Sequence, residues 1–226
     1  MSEPVVNLHK MKKGDAAPII SLEKKSNPSL CCVAVAGGWD ADANNKPASK
    51  PKKGGLFGGL LGGGGSYELP PASDFDLDVF AFLLRNDKLS RDDRDIVYFG
   101  NKCHSSGAIA SSGDNLTGKG DGDDETIAVD LSRIPKDCNR IVFGINIYQA
   151  KSKRQHFGYV KNAFMRVYDK TTGKQLCRFN LTDDYDGMTY MICGELQRGP
   201  NDTWDFVAIG EGGDAPSINA IANRYR

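Results

Sequence analysis

The chain has 226 residues, enough for one large domain or two small ones, and its 29 basic and 29 acidic residues cancel to a formal net charge of zero. That balance excludes a general nucleic-acid binder, which would carry a basic face, so no nucleic-acid partner is expected. Apolar residues make up 39% of the chain, ordinary for a soluble globular protein, and no apolar run approaches the ~20 residues needed to span a bilayer.

Taken in chain order, most segments read as short strands rich in β-branched and aromatic residues. They are Ile19–Glu23, Leu30–Ala36, Leu77–Leu84, Ile96–Phe99, Glu125–Leu131, Arg140–Tyr148, Ala163–Tyr168, Gln175–Leu181, Thr189–Gln197 and Trp204–Gly210. Turn clusters such as 169–173 and 198–202 bound them. In 126–131, Ile127, Val129 and Leu131 alternate onto one face. Two short helices are expected, around Phe157–Asn162 and over Ser217–Tyr225, the second with Ser217 as N-cap. No βαβ alternation is visible, which argues against a Rossmann-type fold. About ten strands at this spacing predict a mainly all-β chain, a β-sandwich. Trp39 and Trp204 read as core anchors.

One stretch interrupts the pattern. Residues 41–73 pass from a Lys/Pro/Asn-rich piece into a run of glycines carrying Leu56, Phe57, Leu60 and Leu61. Such a segment cannot bury enough surface to offset its backbone entropy, so it reads as a flexible insertion within a single domain spanning 1–226. Its apolar groups beside four lysines also suit contact with a membrane surface or a partner.

The cysteines (Cys31, Cys32, Cys103, Cys138, Cys177, Cys193) show neither a CxxC pair nor a zinc spacing, and they read as reduced, buried thiols. No apolar run follows the first positive charges, so no secretory signal is expected and the glycosylation sequons at Asn115, Asn180 and Asn201 read as chance matches.

The most informative chemistry lies in 113–125, Gly-Asp-Asn-Leu-Thr-Gly-Lys-Gly-Asp-Gly-Asp-Asp-Glu. Asp114, Asp121, Asp123, Asp124, Glu125 and the amide of Asn115 sit among glycines with Lys119 as the one cation. Glycines let the backbone fold back so that oxygens converge, and an oxygen-rich set suits a hard cation, Ca²⁺ before Mg²⁺. A P-loop is a poor match, because Gly120 follows Gly118-Lys119 where Ser or Thr belongs. An EF-hand is also poor, with Leu116 and Lys119 at the third and sixth positions. A solvated acidic turn is the plain alternative. Against it stands Asp74-Phe-Asp-Leu-Asp78, in which a strand would place Asp74, Asp76 and Asp78 on one face and Phe75 and Leu77 in the core. Asp40 ends a further apolar strand. An edge bearing Asp40, Asp76 and Asp78, capped by the 114–125 loop, could hold one or two Ca²⁺ ions.

Gly-Trp-Asp at 38–40, Phe-Asp-Leu-Asp at 75–78, the 113–125 loop, Gln-His-Phe-Gly at 155–158, Asn-Ala-Phe-Met-Arg-Val at 162–167 and Gly-Glu-Leu-Gln-Arg at 194–198 together resemble the TerD domain family of bacterial tellurium-resistance and stress proteins. The insertion before Phe75 resembles its TerZ-type branch. The resemblance implies a sandwich of two roughly five-stranded antiparallel sheets with a few short helices. It implies Ca²⁺ held by Asp40, Asp76, Asp78, Asp114, Asn115, Asp121, Asp123, Asp124 and Glu125, with carbonyls from Gly118 and Gly120. Where the family often has Tyr-Asn-Asn, this chain has Phe99-Gly100-Asn101, leaving Asn101 as the remaining amide. The implied function is non-enzymatic and cytoplasmic: a Ca²⁺-dependent scaffold or interaction module in tellurite, phage and colicin resistance, with other Ter-type proteins as partners. The alternatives are small-ligand binding of the cyclic-nucleotide kind, or metal-dependent phosphate-ester processing. Of the histidines His9, His104 and His156, none forms a catalytic constellation by spacing alone.

Overall fold

The structure, a computed structural model, describes residues 6–8, 18–21, 31–40, 75–118 and 122–226. The insertion expected at 41–73 lies outside them. The strands are β1 Val6–Leu8, β2 Ile19–Ser21, β3 Cys32–Asp40, β4 Leu77–Arg85, β5 Lys88–Leu89, β6 Ile96–Val97, β7 Ile109–Ser111, β8 Glu125–Asp130, β9 Cys138–Ile147, β10 Lys161–Asp169, β11 Gln175–Asn180, β12 Tyr190–Arg198 and β13 Trp204–Gly213. The α-helices are α1 Ala150–Lys153, α2 Leu181–Asp184 and α3 Ile218–Ala222.

The strands form two sheets. One runs β1-β11-β10-β3-β8-β7, and the other runs β2-β13-β12-β9-β4-β5, with β6 paired to β4. All pairings are antiparallel except β1 with β11. Each sheet has four strands of six to ten residues, and the other five strands are pieces of two or three residues at the edges. Three of them, β1, β5 and β7, carry too little pattern to be read from sequence.

The main core lies between the sheets. Val33, Val35, Ile127, Val129, Met165 and Val167 meet Leu77, Val79, Ala81, Leu83, Phe143 and Ile145 there, all essentially without solvent contact. Both tryptophans belong to this core, as their sequence context predicts. The opposite face of β4 is also dry, since Phe80, Phe82 and Leu84 pack with Ile192, Ile218, Ile221 and Ala222 beneath α3. Burial on both faces is why β4 reads as a continuous apolar run. Ser217 caps α3 as expected, its hydroxyl accepting from the Ala220 N–H at 3.2 Å. The helix expected over Phe157–Asn162 is a single 3₁₀ turn, Phe157–Tyr159, because β10 begins at Lys161 and needs extended backbone.

A bulge between Ile192 and Gly194 in β12 changes which residues face inward. Met191 and Cys193 point to the core before it and Leu196 after it. The shift of one residue turns Glu195 outward, where it ion-pairs with Arg140 of β9. Half the thiols do not fit the buried expectation: Cys138, Cys177 and Cys193 are buried, while Cys31 and Cys103 are exposed and Cys32 is intermediate.

Gly144 of β9 lies where a Cβ would stand 2.4 Å from the Phe80 ring and 2.6 Å from the Met191 carbonyl oxygen. The backbone contact cannot yield without separating β9 from β12. Gly144→Ala is therefore expected to destabilise the fold by about 1–3 kcal/mol in chemical denaturation. An unchanged midpoint would contradict this packing.

Candidate metal centre

Phe75 and Leu77 are buried in the core, so the period of two turns Asp76 and Asp78 together onto the other face. Asp114 arrives from the loop that follows β7. Carboxylate oxygens of Asp76, Asp78 and Asp114 lie within 4.8 Å of one another. Asp76 and Asp78 are 9% and 1% exposed, and Asp76 Oδ1 and Asp78 Oδ2 are buried without a hydrogen-bond partner.

The neighbouring acids hold this arrangement in place. Glu125, the first residue of β8, accepts from the Val79 N–H at 2.9 Å with Oε2 and from the Asn115 N–H at 3.1 Å with Oε1. It therefore ties β4 to the 113–118 loop. Asp124 accepts from the Trp39 N–H at 2.8 Å and from the Asn115 side-chain amide at 2.7 Å. Asn115 in turn accepts from the N–H groups of Thr117 and Gly118, an Asx-type turn. Gly118 has φ of +61°, and a Cβ there would stand 2.3 Å from the Trp39 indole nitrogen. That nitrogen donates to the Phe75 carbonyl at 3.0 Å, one residue before Asp76. Trp39 thus positions both arms of the cluster.

Other predicted residues stand elsewhere. Asp123 forms a bidentate pair with Arg166 at 2.7 and 2.8 Å. Asp40 is exposed and accepts from the Asn162 amide at 2.6 Å. The Asn101 amide donates to the Ile96 carbonyl at 2.7 Å and closes a turn with Tyr98. Gly120 and Asp121, and with them Asp74, lie outside the described residues.

Crowded carboxylates shift one another. Burial, then repulsion from Glu125, Asp76 and Asp114, pushes Asp78 up to about 9. Burial raises Asp76 to about 6, with Lys153 opposing and Asp114 adding to the rise. Burial raises Glu125 to about 7 against the pull of its two backbone donors. Burial also raises Asp124, opposed by the Trp39 N–H.

Sequence spacing also misses two features. Asn146, in the interior of β9, pairs in register with Asp78 and leaves its Oδ1 buried without a donor. A Ser–His–Asp array exists as well. His104 is 3% exposed, with Nε2 3.0 Å from Asp95 and Nδ1 2.7 Å from the Ser106 hydroxyl. The Ser106 backbone N–H also donates to Nδ1, so the ring proton sits on Nε2 toward Asp95. Ser106 further accepts from the Ala108 N–H, and Asp95 pairs with Arg85. This network closes the turn before β7. His156 stacks on Tyr159 and accepts from the Gly187 N–H at 3.2 Å, and burial lowers its pKa.

The fold and site define a β-sandwich with a partly buried acidic cluster at one end. A TerD domain family model matches residues 8–225, and the chain belongs to that family. It is 38% identical over 213 residues to stress response protein SCP2 of Bacillus subtilis, covering 91% of this chain and 98% of the relative. It is 39% identical to tellurium resistance protein TerD of Serratia marcescens, covering 85% of this chain and 86% of that one. Against TerZ of the same organism the identity is 38%, over 84% of each chain. In fold it is similar to the crystal structure of a homologue of telluride resistance protein TerD from Streptomyces coelicolor. That match has TM-score 0.61 and 20% identity, and covers 84% of this chain and 95% of that one.

The raised carboxyls predict a pH profile. Each folded value exceeds the ordinary value of 3.8 or 4.5. The stability these groups contribute is therefore fully present below about pH 4 and is lost as pH rises through 6, 7 and 9. Melting in chelator should show metal-free protein losing stability from about pH 4 up to about pH 9, with a shallower fall for Asp78→Asn. A flat profile in the parent protein would contradict the clustering.

Proposed function

We propose that the chain is a non-enzymatic Ca²⁺-binding protein of the tellurium-resistance and stress-response family, in which the cation shapes an interaction surface. The convergence of Asp76, Asp78 and Asp114, with buried oxygens lacking partners, carries this reading. Buried anionic oxygens are costly unless hydrogen bonds, ions or protons compensate them. An all-oxygen set favours a hard cation. Ca²⁺, with six to eight flexible ligands, suits carboxylates from a strand and a loop better than Mg²⁺ with its strict octahedron. Asp76, Asp78 and Asp114 would hold one ion, while Glu125 and Asp124 keep the struts described above. When bound, the ion supplies the positive charge that these acids lack and cross-links β4 to the loop after β7.

Two of the large apolar side chains that stand exposed are Leu116 and Tyr148, at 57% and 37%. Leu116 lies two residues from Asp114, and the Tyr148 N–H donates to the Asp76 carbonyl at 2.7 Å. Two exposed apolar groups thus sit on backbone joined to the cluster acids, which supports an interaction module. Serratia marcescens has TerD, TerZ and TerX proteins that are all similar to this chain, which supports partners of the same family. A cytoplasmic place agrees with this reading; among the described residues no helix is long and apolar enough to cross a membrane. Contact through the 41–73 insertion is a further part of the proposal.

Calorimetric titration of chelator-stripped protein should show one Ca²⁺ site. Asp76→Asn and Asp78→Asn should each weaken it by about 10-fold or more, since removing charge from a Ca²⁺ site lowers affinity. Asp123→Asn should leave it within about 3-fold, because that carboxylate already pairs with Arg166. The reverse ranking would move the site into the second half of the acidic loop.

A further inference from the structure

Beside the cluster, the outer face of β4 and β9 opens into a cleft of about 230 Å³. An apolar cavity of about 150 Å³ accommodates benzene, so this cleft has room for a flat molecule of about ten heavy atoms. Asp78 and Asn146 form its polar floor, adjacent by strand register. Tyr98, Phe99 and Tyr148 form one wall, and the start of α3 at Ile218 forms another. The rings brace one another edge to face: Tyr98 with Phe99 at 5.0 Å and Phe99 with Tyr148 at 5.6 Å.

Two observations give the cleft a chemical preference. Asn146 is 6% exposed and Asp78 is 1% exposed, yet Asn146 Oδ1 and Asp78 Oδ2 each lack a donor. Both missing partners are hydrogen-bond donors. No lysine, arginine or histidine lines the space, and Asp78 is its one ionisable acid. Lys153 stands over the Tyr148 ring at 5.4 Å from its centre and its charge also reaches Asp78, so it is the cation that an organic ligand would displace from that face. Aromatic faces and two buried oxygens without donors together favour a positively charged N–H donor and disfavour an anion.

We propose that this cleft binds a small organic cation with paired N–H donors and a flat apolar body, such as an amidinium, guanidinium or aromatic ammonium compound. The donors face Asp78 and Asn146, and the body lies against Phe99 and Tyr148. The site shares Asp78 with the metal centre, but Asn146 and the aromatic wall belong to it alone. Ca²⁺ held at Asp78 would compete with the organic cation, so the cleft is tested with the metal removed. Its preference runs opposite to that of a cyclic-nucleotide pocket, which must neutralise a phosphate.

The test uses the full chain in chelator and three molecules of nearly one shape: benzamidine, benzamide and benzoate. Binding is followed by amide chemical-shift changes. Benzamidine should perturb residues around Asn146, Tyr148 and Ile218 and bind at least ~10-fold more tightly than benzamide, with benzoate not binding. Tyr148→Ala, an exposed position that leaves the core intact, should weaken benzamidine by about 5-fold. Asn146→Leu should weaken it by about 10-fold. Equal binding of the three molecules, preference for benzoate, or shifts confined to other surfaces would overturn the proposal.

Discussion

Repulsion among Asp76, Asp78, Asp114 and Glu125 is the constraint around which one end of this sandwich is built. Three of these acids, Asp76, Asp78 and Glu125, are buried, and the exposed Asp114 closes over them from the loop after β7. Left to itself such a group would splay apart or take up protons. Here the backbone prevents splaying. Core burial of Phe75 and Leu77 fixes where Asp76 and Asp78 point, and Glu125 is clamped by the N–H groups of Val79 and Asn115. The raised pKa values follow from that confinement.

Trp39 is the mechanical partner of this electrostatic arrangement. Its backbone N–H fixes Asp124, its indole N–H fixes the Phe75 carbonyl, and its ring presses on Gly118. One core side chain therefore sets the distance between the strand that carries two acids and the loop that carries the third. Leu116 and Tyr148, which face solvent, are the large apolar side chains tied most directly by the backbone to Asp114 and Asp76. The same geometry leaves Asp78 facing a cleft on its outer side, so the two proposed sites draw on one carboxylate.

Much of the fold was legible because the sandwich strands alternate cleanly or run continuously apolar. Ile127 and Val129 announced the inner face of β8, and the apolar run over 77–84 marked β4 as a strand, though not that α3 covers its outer face. Short edge strands such as β5 carry two residues and no period. The site was legible in part. Alternation around Phe75 and Leu77 placed Asp76 and Asp78 together, and the glycine-rich loop flagged Asp114. Sequence could not separate acids that converge from acids that brace. Asp123 and Asp124 look alike in a list of residues, yet Arg166 engages one and Trp39 the other. Those partners come from strands distant in sequence. Asn146 gave no signal, since an amide in a strand acquires meaning only through the register that sets it beside Asp78.

The central claim is that the cation belongs between Asp76, Asp78 and Asp114. Anomalous diffraction from crystals grown with Ca²⁺, recorded at long wavelength, tests it most directly. The account predicts a peak bounded by those three carboxylates, with the Arg166–Asp123 pair intact. A peak coordinated by Asp123 in place of Arg166, or no peak at saturating Ca²⁺, would contradict it.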